Sequence, residues 1–359
     1  MKKLKNLLRE FKLDGYIVPK NDEYFNEYVS PSKDRLKFIS NFSGSAGFAI
    51  ILKNKNYLFV DGRYTVQARY QSGKKFKVIT IPNKFPKDVL KPKKNFILGF
   101  DPKLHTEKQL GFLFKIKNVN LRSINQNLVD LVWSKKPKEF VKPFFSLSKK
   151  NVGQNSEKKI KKVKGSLLKN RTDYLLVTAP ENVAWILNIR GYDSEFSPLP
   201  NARLLISREG DIELYSQLEK VKKIKKTFSR KIKFHNEHML ERKLKSLSRK
   251  SIWIDVLSCS IYYKNLIKVK TGRISWDYKK NKIIEKIDPI YFLKSIKNST
   301  EIKNMKRSHI FDGAALTKFL FWLKKNFKSK KITEISAQKK LESFRKMNPS
   351  YKFPSFNTI

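Results

Sequence analysis

Apolar residues recur along the chain at two spacings. Leu4, Leu7, Leu8 and Phe11 stand at i, i+3, i+4 and i+7, which predicts an opening amphipathic helix. Asp14-Gly15 ends it, and Tyr16-Ile17-Val18 reads as a short strand stopped by Pro19. Phe48–Leu52 is a continuous apolar run suited to a buried strand. The polar turn Lys53-Asn54-Lys55-Asn56 and the run from Tyr57 to Val60 complete a hairpin. Short strands then alternate with helices to about residue 133, the pattern of an α/β layer domain.

Residues 134–172 change character, with two prolines, two glycines and many lysines. They predict a linker, bounded at 136–170. A second α/β unit follows. Tyr174–Val177 is a buried strand, and Pro180 sits where the first turn of a helix tolerates it. Val183, Trp185, Ile186, Leu187 and Ile189 fill that helix, with Gly191 as its stop. The runs from Leu204 to Ile206 and Ile212 to Tyr215 form a hairpin about Glu209-Gly210-Asp211. Ile252 to Val256 is a further strand, and the lysine-rich stretch before it predicts one solvated helix.

From Asp288-Pro289 the period changes to that of long helices. Asn298 and Glu301 have capping-box spacing, and Ile302, Met305, His309 and Ile310 begin a stripe that runs toward Phe319 and Leu323. Thr333 starts a second helix carrying Ala337, Leu341 and Phe344. The expected organisation is domain I at 1–135, a linker at 136–170, domain II at 171–287 and a third unit at 288–359.

Composition narrows the function. The 359 residues are 40% hydrophobic and 13% aromatic, which excludes a disordered chain. Lys and Arg exceed Asp and Glu by 79 − 31 = 48 charges. The lysines lie along the whole chain, with no zinc-finger spacing and no basic heptad, so only non-specific attraction to nucleic acid is expected. The single cysteine, Cys259, excludes a disulfide framework, and four histidines leave little room for a His-rich metal site. There is no run of 18 apolar residues, and the basic start lacks an apolar block and a cleavage site. A cytoplasmic protein with no membrane partner is the expectation.

Chemical motifs are sparse. Nucleotide-binding glycine loops, a nucleophile elbow and an H-E-x-x-H helix are absent. Gly44-Ser45-Ala46-Gly47 reads as a tight turn or an oxyanion cradle. His235 and His238 have the look of half a metal site without a third ligand nearby. Asp61-Gly62-Arg63-Tyr64 places a guanidinium at the edge of a strand-ending turn. Asp193 and Glu195 form a carboxylate pair beside Ser197-Pro198-Leu199-Pro200, which predicts an exposed loop.

Together these segments carry more than any one does alone. NDEYFNEYV, DRLKFISNFSGSAG, FVDGRYTVQA, ENVAWILNIRG, FLKSIKNSTEIKNMKRSHIFDGAALTKFLFWL and KLESFRKMNPSYKFPSFNTI follow one another in this order. The chain in this respect resembles the three-domain Xaa-Pro aminopeptidases, the aminopeptidase P group of creatinase-like metallopeptidases. The resemblance runs from about Tyr16 to Ile359 and is weak through roughly 75–170 and 215–285. It implies an α/β fold of two creatinase-type N-terminal domains, followed by the first helices of a pita-bread peptidase domain that is incomplete here. It also implies two divalent metals, manganese in most relatives, which activate a bridging water to remove the first residue from peptides with proline second.

In that family the metal ligands lie C-terminal to the SFNTI segment. No residue of this chain is therefore carried over as a metal ligand, His309 included, and no bound metal is expected. The implied reading is a truncated N-terminal portion, inactive alone and completed by a separate C-terminal catalytic piece. One substrate-binding residue is carried over, Arg63, whose fork suits a peptide carboxylate or carbonyl. A homodimer is also implied, because full relatives tend to pair. The alternative reading is a non-catalytic creatinase-fold module that holds an acidic protein or nucleic acid.

Overall fold

In the computed structural model, residues 1–228, 232–268, 281–329 and 331–356 are described. The first sheet has six strands: β1 (Gly15–Pro19), β2 (Phe48–Leu52), β3 (Asn56–Asp61), β4 (Lys77–Ile81), β5 (Phe96–Phe100) and β6 (Val119–Ser123). Their spatial order is β4-β3-β2-β1-β5-β6. The three central strands form an antiparallel meander, with Ile17 opposite Ile50 and Ala49 opposite Leu58. The outer strands join in parallel. Both faces are covered. Tyr16, Val18, Ala49 and Leu58 look to one side, where the helix Lys2–Glu10 lays down Leu4 and Leu8. Ile17, Ile50, Phe59 and Leu98 look to the other. Double coverage is why these strands read as unbroken apolar runs.

The second sheet repeats this topology strand for strand. Its order is Ile232–His235, Ile212–Tyr215, Arg203–Ser207, Tyr174–Val177, Ser251–Asp255 and Lys282–Lys286. The middle three are antiparallel and the outer joins parallel, as in the first. The chain thus carries two copies of one α/β design.

Three expectations are corrected here. The stretch 136–170 is not a plain linker, because it contains the helix Ser156–Lys169, whose Val163 and Leu167 are fully buried in the second core. Its lysines hid an i, i+4 apolar stripe. The helix Pro180–Leu187 ends at Asn188, in the left-handed region at φ 55°, and not at Gly191. Gly191 serves a close approach: a Cβ there would lie 2.7 Å from the Leu199 carbonyl oxygen. The lysine-rich stretch after Tyr215 is not one helix. It holds the edge strand Ile232–His235 and the helix Met239–Ser246, whose Leu240 and Leu244 are buried.

Beyond the second sheet, the helix Pro289–Ser295 leads into the long helix Ser299–Asn326 and the last helix Glu334–Arg345. The Asn298–Glu301 capping box is formed. Asn298 and Asn304 also donate to the carbonyls of Val152 and Asn151, which ties the start of the long helix to the second sheet's surroundings. Phe319 and Trp322 stack with ring centres 6.1 Å apart, and Lys340 of the last helix sets its ammonium over the Trp322 and Phe344 rings. Among the described residues from Ser299 on, only Ala315 is buried. Asn357, Thr358 and Ile359 of the SFNTI segment lie outside the described residues.

Candidate substrate-binding seam

The turn after β3 is built by Asp61. Its carboxylate accepts the Arg63 backbone N–H at 3.0 Å, the Arg63 Nε at 3.1 Å and its Nη2 at 2.7 Å. These bonds, the Arg63 side chain's first among them, hold the Asp61 carboxyl below its ordinary range. The guanidinium remains 62% exposed and lies 5.1 Å from the centre of the Tyr64 ring. Tyr64 packs edge-on against Phe42, and its hydroxyl is 2.8 Å from that of Ser45. The Gly44–Gly47 turn and the Arg63 turn are therefore neighbours at one end of the sheet. Gly47 has φ +149°, and a Cβ on it would meet the Phe59 carbonyl oxygen at 2.6 Å, so the strand entry itself demands glycine.

The NDEYFNEYV segment, residues 21–29, fills the space between the two sheets. Asp22 is buried and accepts from the backbone N–H groups of Tyr24 and Asn26 and from the Asn26 amide. Burial raises the Asp22 pKa, and those bonds oppose it. The coil they close puts Phe25 in the left-handed region, φ 56°. Asn26 reaches Asn201 of the second unit at 2.9 Å. Arg203, 4% exposed, stacks its guanidinium 3.9 Å from the Tyr24 ring and 4.7 Å from the Tyr263 ring, and donates to the Glu23 carbonyl. Tyr24 donates its hydroxyl to Glu237 at 3.0 Å. On the first unit's side, Arg35 bonds Asp130 through Nε and Nη2 and bonds Glu23 at 2.7 Å. Burial pushes the Glu23 pKa up, but Arg35 and Lys33 outweigh it and bring the group down to about 2.

The loop from Gly191 to Pro200 faces this segment. Ser194 donates to the Tyr28 carbonyl, and the Tyr28 and Phe196 rings meet edge to face at 5.0 Å. Phe196 has φ 61°. Asp193 is not exposed, as the loop reading had it: it is ion-paired with buried Lys220 at 2.9 Å and accepts from the Asn201 N–H. Glu195 is exposed. The other end of the loop carries Tyr192, which stands 5.3 Å from Phe145 and 6.4 Å from Phe353 of the C-terminal segment. This loop touches all three parts of the chain.

The histidines do not converge. His235 stacks on Tyr215 and lies 3.6 Å from Glu213. His309 sits on an exposed turn of the long helix with Nδ1 at 2.9 Å from the Met305 carbonyl oxygen. His105 is fully buried, which drives its pKa down to about 3. Among the described residues no group of three or more His, Cys, Asp or Glu is placed to hold a metal ion. The residues described here do not fit a two-metal centre. A cavity of about 920 Å3 beside the helix Ser156–Lys169 is lined by Ile160, Leu168, Leu187 and Ile212 and by none of the seam residues. Arg203, Tyr24, Tyr28 and Phe196 escaped the sequence reading. The one available signal was an arginine opening the apolar strand Arg203–Ser207.

Residues 1–126 match the creatinase/prolidase N-terminal domain, and residues 135–301 match a second creatinase/prolidase N-terminal domain family. The chain belongs to the creatinase/prolidase group through these two tandem domains. It is 30% identical to Xaa-Pro aminopeptidase 1 of Dictyostelium discoideum over 385 residues, covering 100% of this chain and 59% of that protein. It is 32% identical to the probable Xaa-Pro aminopeptidase P of Laccaria bicolor over 371 residues, covering 99% of this chain and 56% of that one. The crystal structure of X-prolyl aminopeptidase from Caenorhabditis elegans, described as a cytosolic enzyme with a di-nuclear active site, superposes with TM-score 0.87 at 26% identity. It covers 100% of this chain and 61% of its own. The chain spans about 60% of the length of these relatives. Among the described residues, no helix is long and apolar enough to cross a membrane.

Proposed function

We propose that this chain is the substrate-holding part of a metal-dependent Xaa-Pro aminopeptidase, acting on peptides with proline at the second position. The observation that carries this reading is the superposition of the whole chain on X-prolyl aminopeptidase, at TM-score 0.87. The described residues do not fit a two-metal centre, so the metals, manganese by resemblance, are held by protein outside them. Arg63 is the proposed substrate-binding residue: its side chain is exposed, and Asp61, by holding Nε and Nη2, presets its direction and leaves the Nη1 side of the guanidinium for a peptide. On this reading the residues described need a C-terminal catalytic part for activity, and the assembled enzyme works in the cytosol and as a homodimer. The domain limits proposed are 1–135, 171–287 with the helix Ser156–Lys169 packed into its core, and 288–359.

Reconstitution tests this. The chain is mixed or co-expressed with the remaining C-terminal part of a relative, with manganese, and release of the first residue from Ala-Pro-Ala is followed. Hydrolysis that needs both pieces and fails with Ala-Ala-Ala supports the reading. No hydrolysis from a correctly assembled complex, or equal hydrolysis of both peptides, overturns it.

A further inference from the structure

The loop 191–200 carries a bulky residue in a costly backbone state, and so does the segment it faces. Phe196 at φ 61° and Phe25 at φ 56° occupy the left-handed region without being glycine, asparagine or aspartate. Such states cost on the order of 1–3 kcal/mol each and persist where the surroundings impose them, typically at ligand clamps. Here the surroundings do impose them. Asp22 closes the coil around Phe25, and the Asp193–Lys220 pair with the Asn201 N–H closes the loop around Phe196. The result is a Tyr28–Phe196 ring pair held by two separate parts of the chain, with both rings only partly buried. Arg63 lies at the same end of the first sheet as this segment: Lys20, just before it, donates its N–H to the Gly47 carbonyl at 3.0 Å, and Tyr64, next to Arg63, meets Ser45 at 2.8 Å.

We propose that the Tyr28–Phe196 pair is a peptide-binding site, one wall of the path along which the part of the substrate after proline runs toward Arg63. This rests on the Xaa-Pro reading for the class of peptide, and it adds a site for the residues after proline. Edge-to-face aromatic pairs present flat apolar faces and polar edges, which suit an extended, proline-stiffened backbone. Strain stored in Phe196 fixes the ring in place before the peptide arrives, which lowers the ordering cost of binding.

The test uses the chain as it is. A fluorescein-labelled Ala-Pro-Bpa-Ala-Ala peptide, with photoreactive benzoylphenylalanine (Bpa) at the third position, is titrated, irradiated and mapped by mass spectrometry. Adducts are expected on residues 25–28 and 192–197. Phe196→Gly removes the ring and relieves the φ strain. It should weaken binding about threefold to tenfold while leaving the melting temperature unchanged or higher. Tyr28→Phe, which keeps its ring, should retain affinity. Adducts elsewhere, no adducts, or undiminished binding by Phe196→Gly overturn the site. The Ala-Ala-Bpa-Ala-Ala peptide separates this from the parent reading. Equal binding of both peptides with adducts on the seam keeps the site and counts against the Xaa-Pro substrate. Proline preference with adducts elsewhere does the reverse.

Discussion

Leu176, in the middle of the second sheet, is fully buried, whereas Leu320, in the middle of the long helix Ser299–Asn326, is 55% exposed. The two side chains are chemically identical, so the contrast lies in what covers them. Leu176 is closed over by Leu205, Leu240, Ile252 and Ile254. Leu320 belongs to a stripe with Ile302, Met305, Leu316 and Phe327, all exposed, while Phe321 and Ile310 are exposed on another side of the same helix. A helix apolar on several sides is built to be surrounded. The last helix covers one side only, through Phe319 and Trp322. Half of the stripe read from the sequence, Phe319 and Leu323 with Ala337, Leu341 and Phe344, is thus partly covered by its own pair, and the half at Ile302 and Met305 is not.

The sharpest way to break that comparison is a pair of truncations. Leu176→Ala should destabilise by about 2–5 kcal/mol in urea unfolding, the transfer and cavity cost of a core leucine. Leu320→Ala should change stability by less than ~0.5 kcal/mol, as expected of an exposed site. A large loss at Leu320 would mean that the helix pair is covered in solution, and light scattering would then show the chain associating through it.

Acid probes the packed side of the comparison. His105 is buried, with only the Gln109 side chain opposing the effect of burial. Its folded pKa of about 3 lies below the unfolded value, so the unfolded chain binds the extra proton first. Stability is therefore lost as pH falls below about 6.5, by about 2 kcal/mol at pH 5. His105→Phe should remove that part of the acid loss, read as the difference between the two pH profiles of urea unfolding. Asp288 acts in the opposite sense. Burial raises it to about 7, so its contribution is full below pH 3.8 and is lost as pH rises through 7. A His105→Phe profile parallel to the parent's would mean the ring is not buried in solution.

Arg63 sharpens the comparison from the exposed side of the packed body. In the reconstituted enzyme, Arg63→Ala should lower kcat/KM about tenfold, mostly through KM, with an unchanged melting temperature. Arg63→Lys should restore little, because the bidentate fork is lost. A lowered melting temperature with unchanged kinetics would make Arg63 a brace for its own turn through Asp61. The smallest effect expected concerns the charge surplus of +48. Binding to random-sequence DNA should be weak at low salt and largely gone at physiological salt, without base preference. Sequence-selective binding that survives salt would favour the binding-module alternative.

The strands were legible because the sheet buries both faces, which writes each one as an unbroken apolar run: Phe48–Leu52 was read from the sequence residue for residue. The capping box at Asn298 was legible because spacing alone defines it. The helix Ser156–Lys169 was not, because lysines outnumber its buried residues on a surface that carries lysine everywhere. The seam was not legible because its contacts join residues about 170 to 210 positions apart: Tyr28 to Phe196, and Tyr24 to Arg203 and Glu237. No local pattern encodes such pairs. Arg63 was visible as chemistry, whereas its partner Asp61 looked like the end of a strand.

The placement of Arg203 and Glu237 bears on the order of assembly during synthesis. Every strand of the first sheet has left the ribosome once Ser123 has, so that unit is free to fold early. Tyr24, however, has no stacking partner until Arg203 emerges and no hydroxyl acceptor until Glu237 does. At about 5–20 residues per second the nascent chain holds an open NDEYFNEYV segment for roughly 6–20 s after its own sheet is complete. A tethered chain halted before residue 203 should present Phe25, Tyr24 and Tyr28 to solvent, and there a chaperone that binds aromatic segments would find this protein.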